Sequence, residues 1–134
     1  MGVLNEGIFR YIRTMSESKL WLRTKRGFPG LIERIEVRMP LGFPDTVFRT
    51  GGLMGYVELK FEEKYVRAEQ AIFLRRWSNE GAAAMVLAEL KGEHFLMHGS
   101  DIPLNRTIPY NHAVWVGNEI NGTILARELL RANG

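Results

Sequence analysis

The 134-residue sequence has no cysteine. A disulfide framework, a thiolate zinc site and a cysteine nucleophile are therefore excluded, and any metal must be held by carboxylates or histidines. Hard cations that prefer oxygen ligands become the default. Long apolar runs are missing too. Nothing approaches the roughly 20 residues of a membrane span, and Asn5, Glu6 and Arg10 stand where a secretion signal would need an apolar stretch. A soluble, intracellular protein is expected. Histidine is scarce, with three residues. His94 and His98 lie four apart in an expected strand and His112 is remote, so they read as strand-edge or surface residues rather than metal ligands. The sequence carries no Walker loop and no serine-histidine-aspartate order, so neither a nucleotide cofactor nor a serine hydrolase is expected.

What is present suits one core: 46% of the residues are hydrophobic, and the length is short for two ordinary domains. We read residues 1 to 134 as a single domain, its core at about 16 to 98 and a C-terminal extension at 99 to 134. The net charge is +3 and the pI is near 9.4, which suits a polyanionic partner. Arg10, Arg13, Lys19, Arg23, Lys25 and Arg26, then Arg34 and Arg38, crowd the first forty residues. Such clustering serves phosphate binding and equally serves an ordinary solvated face.

Along the chain, residues 3 to 26 are spaced for helix, with Ser16 placed to cap a turn starting at Glu17. Gly27, Pro29 and Gly30 stop it. Ile32 to Met39 alternates as a strand, Asp45 to Arg49 forms a second, and the Gly51-Gly52 turn leads into a third from Gly55 to Lys60. Residues 66 to 80 place Val66, Phe73, Leu74 and Trp77 on one helical face, with Gly81 as the C-terminal stop. Trp21, Trp77, Trp115 and Phe73 are accordingly expected in the core. Ala82 to Leu90 reads as a strand buried on both faces, with His94 to His98 as its hairpin partner. Residues 100 to 121 read as irregular, and Ile124 to Arg131 as a closing helix.

Side chains alternate along a strand, so Glu58 and Lys60 share a face opposite Val57 and Leu59. Asp45 follows Pro44 at the start of the neighbouring strand, and the hairpin can set it beside Glu58. Two adjacent carboxylates repel unless a divalent cation lies between them, and oxygen donors of this kind suit Mg²⁺ or Mn²⁺. Lys60 can then orient or activate water. Such a set is sufficient for phosphodiester hydrolysis, whereas an isolated Glu-x-Lys is more often a surface ion pair.

The string Gly42-Phe43-Pro44-Asp45, a short gap, then Tyr56-Val57-Glu58-Leu59-Lys60 resembles the PD-(D/E)xK nuclease signature. The likeness continues through Gln70-Ala71-Ile72-Phe73-Leu74 and Gly81, and over residues 16 to 98 is similar to the virus-type replication-repair nuclease branch (VRR-NUC), especially its small phage-like members. The resemblance implies a restriction-endonuclease-like α/β fold with an α-β-β-β-α-β core, a mixed central sheet and flanking helices. It also implies Mg²⁺-dependent, structure-specific DNA cleavage, with Mn²⁺ able to substitute and a four-way Holliday junction ranked first among branched substrates. A homodimer is implied, as in related junction resolvases, to which residues 100 to 134 could supply contacts. The setting would be the cytoplasm of a bacterial cell or phage-infected host.

In this reading Asp45 and Glu58 hold the metal together with Leu59, and Lys60 serves the water. Gln70 falls on the apolar face of its helix and would position the site. A further upstream carboxylate is expected, for which Glu17 and Glu36 both compete. Arg23, Lys25, Arg26, Arg34, Arg38, Lys64 and Arg67 are the candidate DNA contacts. The rivals are a non-catalytic nucleic-acid-binding module of the same fold and an interaction domain with an accidental motif.

Overall fold

The structure is a computed structural model, and it describes residues 17 to 35 and 42 to 134. Residues 17 to 25 form helix α1. Strands β1 (Leu31–Arg34), β2 (Thr46–Thr50) and β3 (Leu53–Phe61) follow, then helix α2 (Ala68–Asn79), strands β4 (Ala83–Leu90), β5 (Glu93–His98) and β6 (Trp115–Gly117), and helix α3 (Gly122–Ala132). The six strands form one sheet in the order β1-β2-β3-β4-β5-β6. Among the described residues β3 and β4 alone pair in parallel, joined over α2, and the other neighbours are antiparallel. The expected α-β-β-β-α-β order and mixed sheet are both present, with helices on each face.

Local chemistry explains the framework. Gly51 and Gly52 both take positive φ, +53° and +82°, which is what a two-residue hairpin with the twist of its strands demands; they fix the register that pairs Thr46 with Val57 and hence sets Asp45 next to Glu58. Alternation then sorts the side chains. Val57, Leu59, Met85 and Leu87 enter a core with Leu20 of α1 and with Leu125 and Leu129 of α3. On the other face Ala84, Val86 and Ala88 meet Ala71 and Leu74 of α2. Small residues in β4 let the helix approach closely, and β4 is buried on both faces from Ala83 to Ala88.

Several expectations change. Helix α2 starts at Ala68 because Arg67 is extended (ψ 151°) and Val66 N donates to Arg106 O at 2.9 Å, which draws the chain out of the helix. Strand β1 begins at Leu31, one residue ahead of the expected Ile32–Met39 run, and among the described residues ends at Arg34; residues 36 to 39 lie outside them. The earlier part of the expected first helix, with Ser16, lies outside them as well. Segment 100 to 121 is not wholly irregular, since it holds two 3₁₀ turns and β6, which pairs with β5. Three residues are too few to show alternation. Nor is it an appendage: Ile102 and Ile108 complete the α2-side core. Trp77 does not enter the core; it is 43% exposed, and Phe73 is half-buried. The buried residues of α2 are Gln70, Ala71 and Leu74. With alanines beneath it, the helix sits too close to the sheet for large rings, which move to its flank over Tyr56.

Candidate active site

Three elements converge at the end of β3. The edge of β2 supplies Asp45, β3 supplies Glu58 and Lys60, and the first turn of α2 supplies Gln70. Gly42 (φ +75°) holds the approach to Asp45 against α2, because a Cβ there would collide with the Glu69 carbonyl. Glu58 Oε1 accepts from Asp45 N at 2.9 Å, and Asp45 Oδ2 accepts from Leu59 N at 2.9 Å. Lys60 Nζ lies 3.4 Å from Glu58 Oε2, 3.4 Å from Glu63 Oε2, and donates to Gln70 Oε1 at 3.3 Å. These groups surround a cleft of about 320 Å³ that Glu17, Glu63 and Arg67 also line.

The cleft is electrostatically unusual. Burial first, then the charge of Asp45, pushes Glu58 up to about 8, against the opposing pull of Lys60 and of the Asp45 amide. Glu17 is pushed up to about 7 by burial, by a hydrogen bond with Glu63, and by the charges of Glu63 and Asp45. Burial acts to lower Lys60, but Glu58, Glu63 and Asp45 outweigh it and hold the ammonium above its ordinary value. As placed, Lys60 is a cation, suited to orienting water or stabilising charge rather than to removing a proton.

Of the sequence-derived candidates, Asp45, Glu58, Leu59, Lys60, Gln70, Glu17 and Arg67 line this one cleft. Glu36 and Arg38 lie outside the described residues. The other expected DNA contacts are elsewhere. Arg23 is ion-paired with Glu89, which also pairs with buried His94 at 2.7 Å; this cluster ties α1 to the sheet. Lys25 Nζ lies 5.9 Å from the Trp21 ring, Lys64 Nζ 5.5 Å from the Tyr65 ring, and Arg26 and Arg34 are exposed. Glu63 was not anticipated. It enters because Glu62 takes φ +50° and turns the chain just past the strand, and alternation carries no signal for such a reversal.

The donor chemistry fits a hard divalent cation. Asp45 and Glu58 are carboxylates on adjoining strands and Leu59 has a backbone carbonyl to offer, while Glu17 is hydrogen-bonded to Glu63. A dication would relieve the repulsion that adds to burial in raising Glu58 and Glu17. Among the described residues no three acidic or histidine side chains converge tightly enough to enclose an ion as placed; Asp45 and Glu58 are the pair brought together.

No protein-family profile matches the sequence, and no curated protein is significantly similar to it. Among solved structures, the chain is similar to Hjc, a Holliday junction resolvase from the archaeal hyperthermophile Archaeoglobus fulgidus. The two are 19% identical over 74% of this chain and 84% of that one, with a TM-score of 0.46.

Proposed function

We propose that this protein is a metal-dependent DNA endonuclease that hydrolyses phosphodiester bonds in branched DNA, with a four-way junction as its foremost substrate. The observation that supports this reading best is the convergence in one cleft of Asp45, Glu58, Lys60 and Gln70 from three successive elements. Mg²⁺, or Mn²⁺ in its place, held by Asp45, Glu58 and the Leu59 carbonyl, would supply Lewis acidity to the phosphoryl oxygen and lower the pKa of a bound water. The chain's own groups do the rest. Lys60, fixed between Glu58, Glu63 and Gln70, sets the direction from which water approaches and offers positive charge to the phosphorus centre as the new P–O bond forms and the ester P–O bond breaks. Gln70 keeps Lys60 from swinging to Glu63 alone. Arg67, at the rim, is placed to bind a flanking phosphate.

The test is cleavage of a labelled four-way junction and its matched linear duplex, with Mg²⁺ or with EDTA, by wild type and Lys60→Ala. Paired, metal-dependent cuts in the junction that disappear in the mutant are expected. Equal cutting of both substrates would discard the junction preference. No cutting of either with Mg²⁺ or Mn²⁺ would sink the enzyme reading and leave a nucleic-acid-binding module.

A further inference from the structure

Met85, Leu87 and Leu96 belong to the core that also takes in Leu20 of α1. One pleat further along the same face, register sets Glu89 of β4 opposite His94 of β5. His94 is 2% exposed. Its Nε2 meets Glu89 Oε1 at 2.7 Å, and its Nδ1 lies 3.3 Å from Gly117 O of β6. Arg23 comes from α1 to donate to the same Glu89 oxygen, with Nη1 3.4 Å from His94 Nε2. Four elements thus meet in one polar knot.

Folding alone does not require it. Charged groups held this far from water offset little more than their own desolvation, and apolar side chains of similar volume usually stabilise a fold as well. What the knot adds is direction. Apolar contacts such as those of Leu20 tolerate sliding, whereas hydrogen bonds between charged groups have a fixed geometry. A helix slid by one residue moves about 1.5 Å along its axis, while a metal ligand must be placed to within about 0.2 Å.

Glu89 reaches the cleft by a second route. Its carbonyl accepts from Glu62 N at 2.8 Å, and Glu62, at φ +50°, makes the reversal that brings Glu63 into the cleft. Glu63 is hydrogen-bonded to Glu17 at the start of α1. Contacts therefore run in a closed circuit from Arg23 through Glu89 to Glu62 and Glu63, and back through Glu17 to α1. Glu89 holds both arms, one with its side chain and the other with its carbonyl.

We propose that Arg23, Glu89 and His94 are positioning residues for the candidate active site, fixing α1 and the turn at Glu62 so that the Glu17–Glu63 pair is presented to the cation. This deepens the metal-dependent reading above and rests on it. Removing one partner alone would strand a buried charge, so the test replaces all three together with apolar side chains.

Mn²⁺ binding to the full chain without DNA, followed by electron paramagnetic resonance, is measured beside the melting temperature. Arg23→Met/Glu89→Leu/His94→Leu should melt close to wild type and bind Mn²⁺ about 10- to 100-fold more weakly. In a Glu17→Gln/Glu63→Gln background, which leaves Asp45 and Glu58 to bind the ion, the same triple change should cause no further loss. A general disturbance of the cleft would add its loss in both backgrounds. Should the triple variant fail to fold, the isosteric Glu89→Gln carries the same comparison, with a smaller loss in wild type and none in the second background. Wild-type affinity in the altered chain, or equal loss in both backgrounds, would overturn the proposal and leave the nuclease reading standing. A wild type that binds no Mn²⁺ would overturn both.

Discussion

At the scale of single residues, Glu58 carries the clearest consequence. Its carboxyl titrates near 8 in the folded, metal-free chain against about 4.3 in an unfolded one. A raised pKa means that its contribution to stability is complete below the unfolded value and is lost as pH rises towards 8. At about 1.4 kcal/mol per unit, the metal-free protein should lose on the order of a few kcal/mol across that window, with Glu17 acting in the same direction. Glu58→Gln should flatten the profile of melting temperature against pH. Mg²⁺ favours the ionised forms, so the rise in melting temperature on adding it should grow from pH 5 to pH 8 in wild type and be largely absent in Glu58→Gln. A gain that is the same at both pH values would argue against Glu58 as a ligand. On the proposed reading Gln70 is a positioning residue, because its Oε1 accepts from Lys60 Nζ and it acts through that ammonium. Gln70→Ala should lower kcat about 10- to 100-fold with little change in KM, and leave a buried ammonium short of one acceptor.

At the scale of elements, the site depends on how three segments are joined. Gly42 takes a left-handed conformation against α2 and has no room for a Cβ, so Gly42→Ala should cost at least about 1 kcal/mol and reduce cleavage by displacing Asp45. Denaturant unfolding and cleavage rate would register both effects. A full-rate, fully stable variant would show that Asp45 is held by its strand alone. Helix α3 starts at Asn121, whose side chain accepts from Ile124 N at 2.8 Å; Asn121→Ala should lower stability by about 1 kcal/mol without moving kcat, since α3 meets the core on the face away from the cleft. The strands and α2 were legible in the sequence because alternation and the Gly51-Gly52 and Gly81 stops are local signals. Strand β6 was not, since it forms only by pairing with β5, and the outward placement of Trp77 follows from alanines on a strand that helical spacing cannot see.

At the scale of the whole molecule, the cleft is lined by Glu17, Asp45, Glu58 and Glu63 with exposed Arg67 beside them, in a protein with net charge +3. Binding of DNA should therefore weaken steeply with salt, and Arg67→Ala should reduce the slope of log K against log salt by about one phosphate contact, roughly equally for junction and duplex. An unchanged slope would remove Arg67 from the phosphate path. Arg23→Ala should instead act on stability, because its partner is Glu89 and not a rim position.

By itself the sequence determined the strand that carries Glu58 and Lys60 on one face, the hairpin that returns Asp45 to them, and the helix that faces Gln70 inward, because each follows from periodicity and turn chemistry within about thirty residues. Tertiary structure alone decided the rest. Glu17 joins the cleft because α1 packs across the sheet through Leu20, and Glu63 joins it through a backbone reversal. The raised affinity of Glu58 for its proton arises from burial that only the closed fold creates.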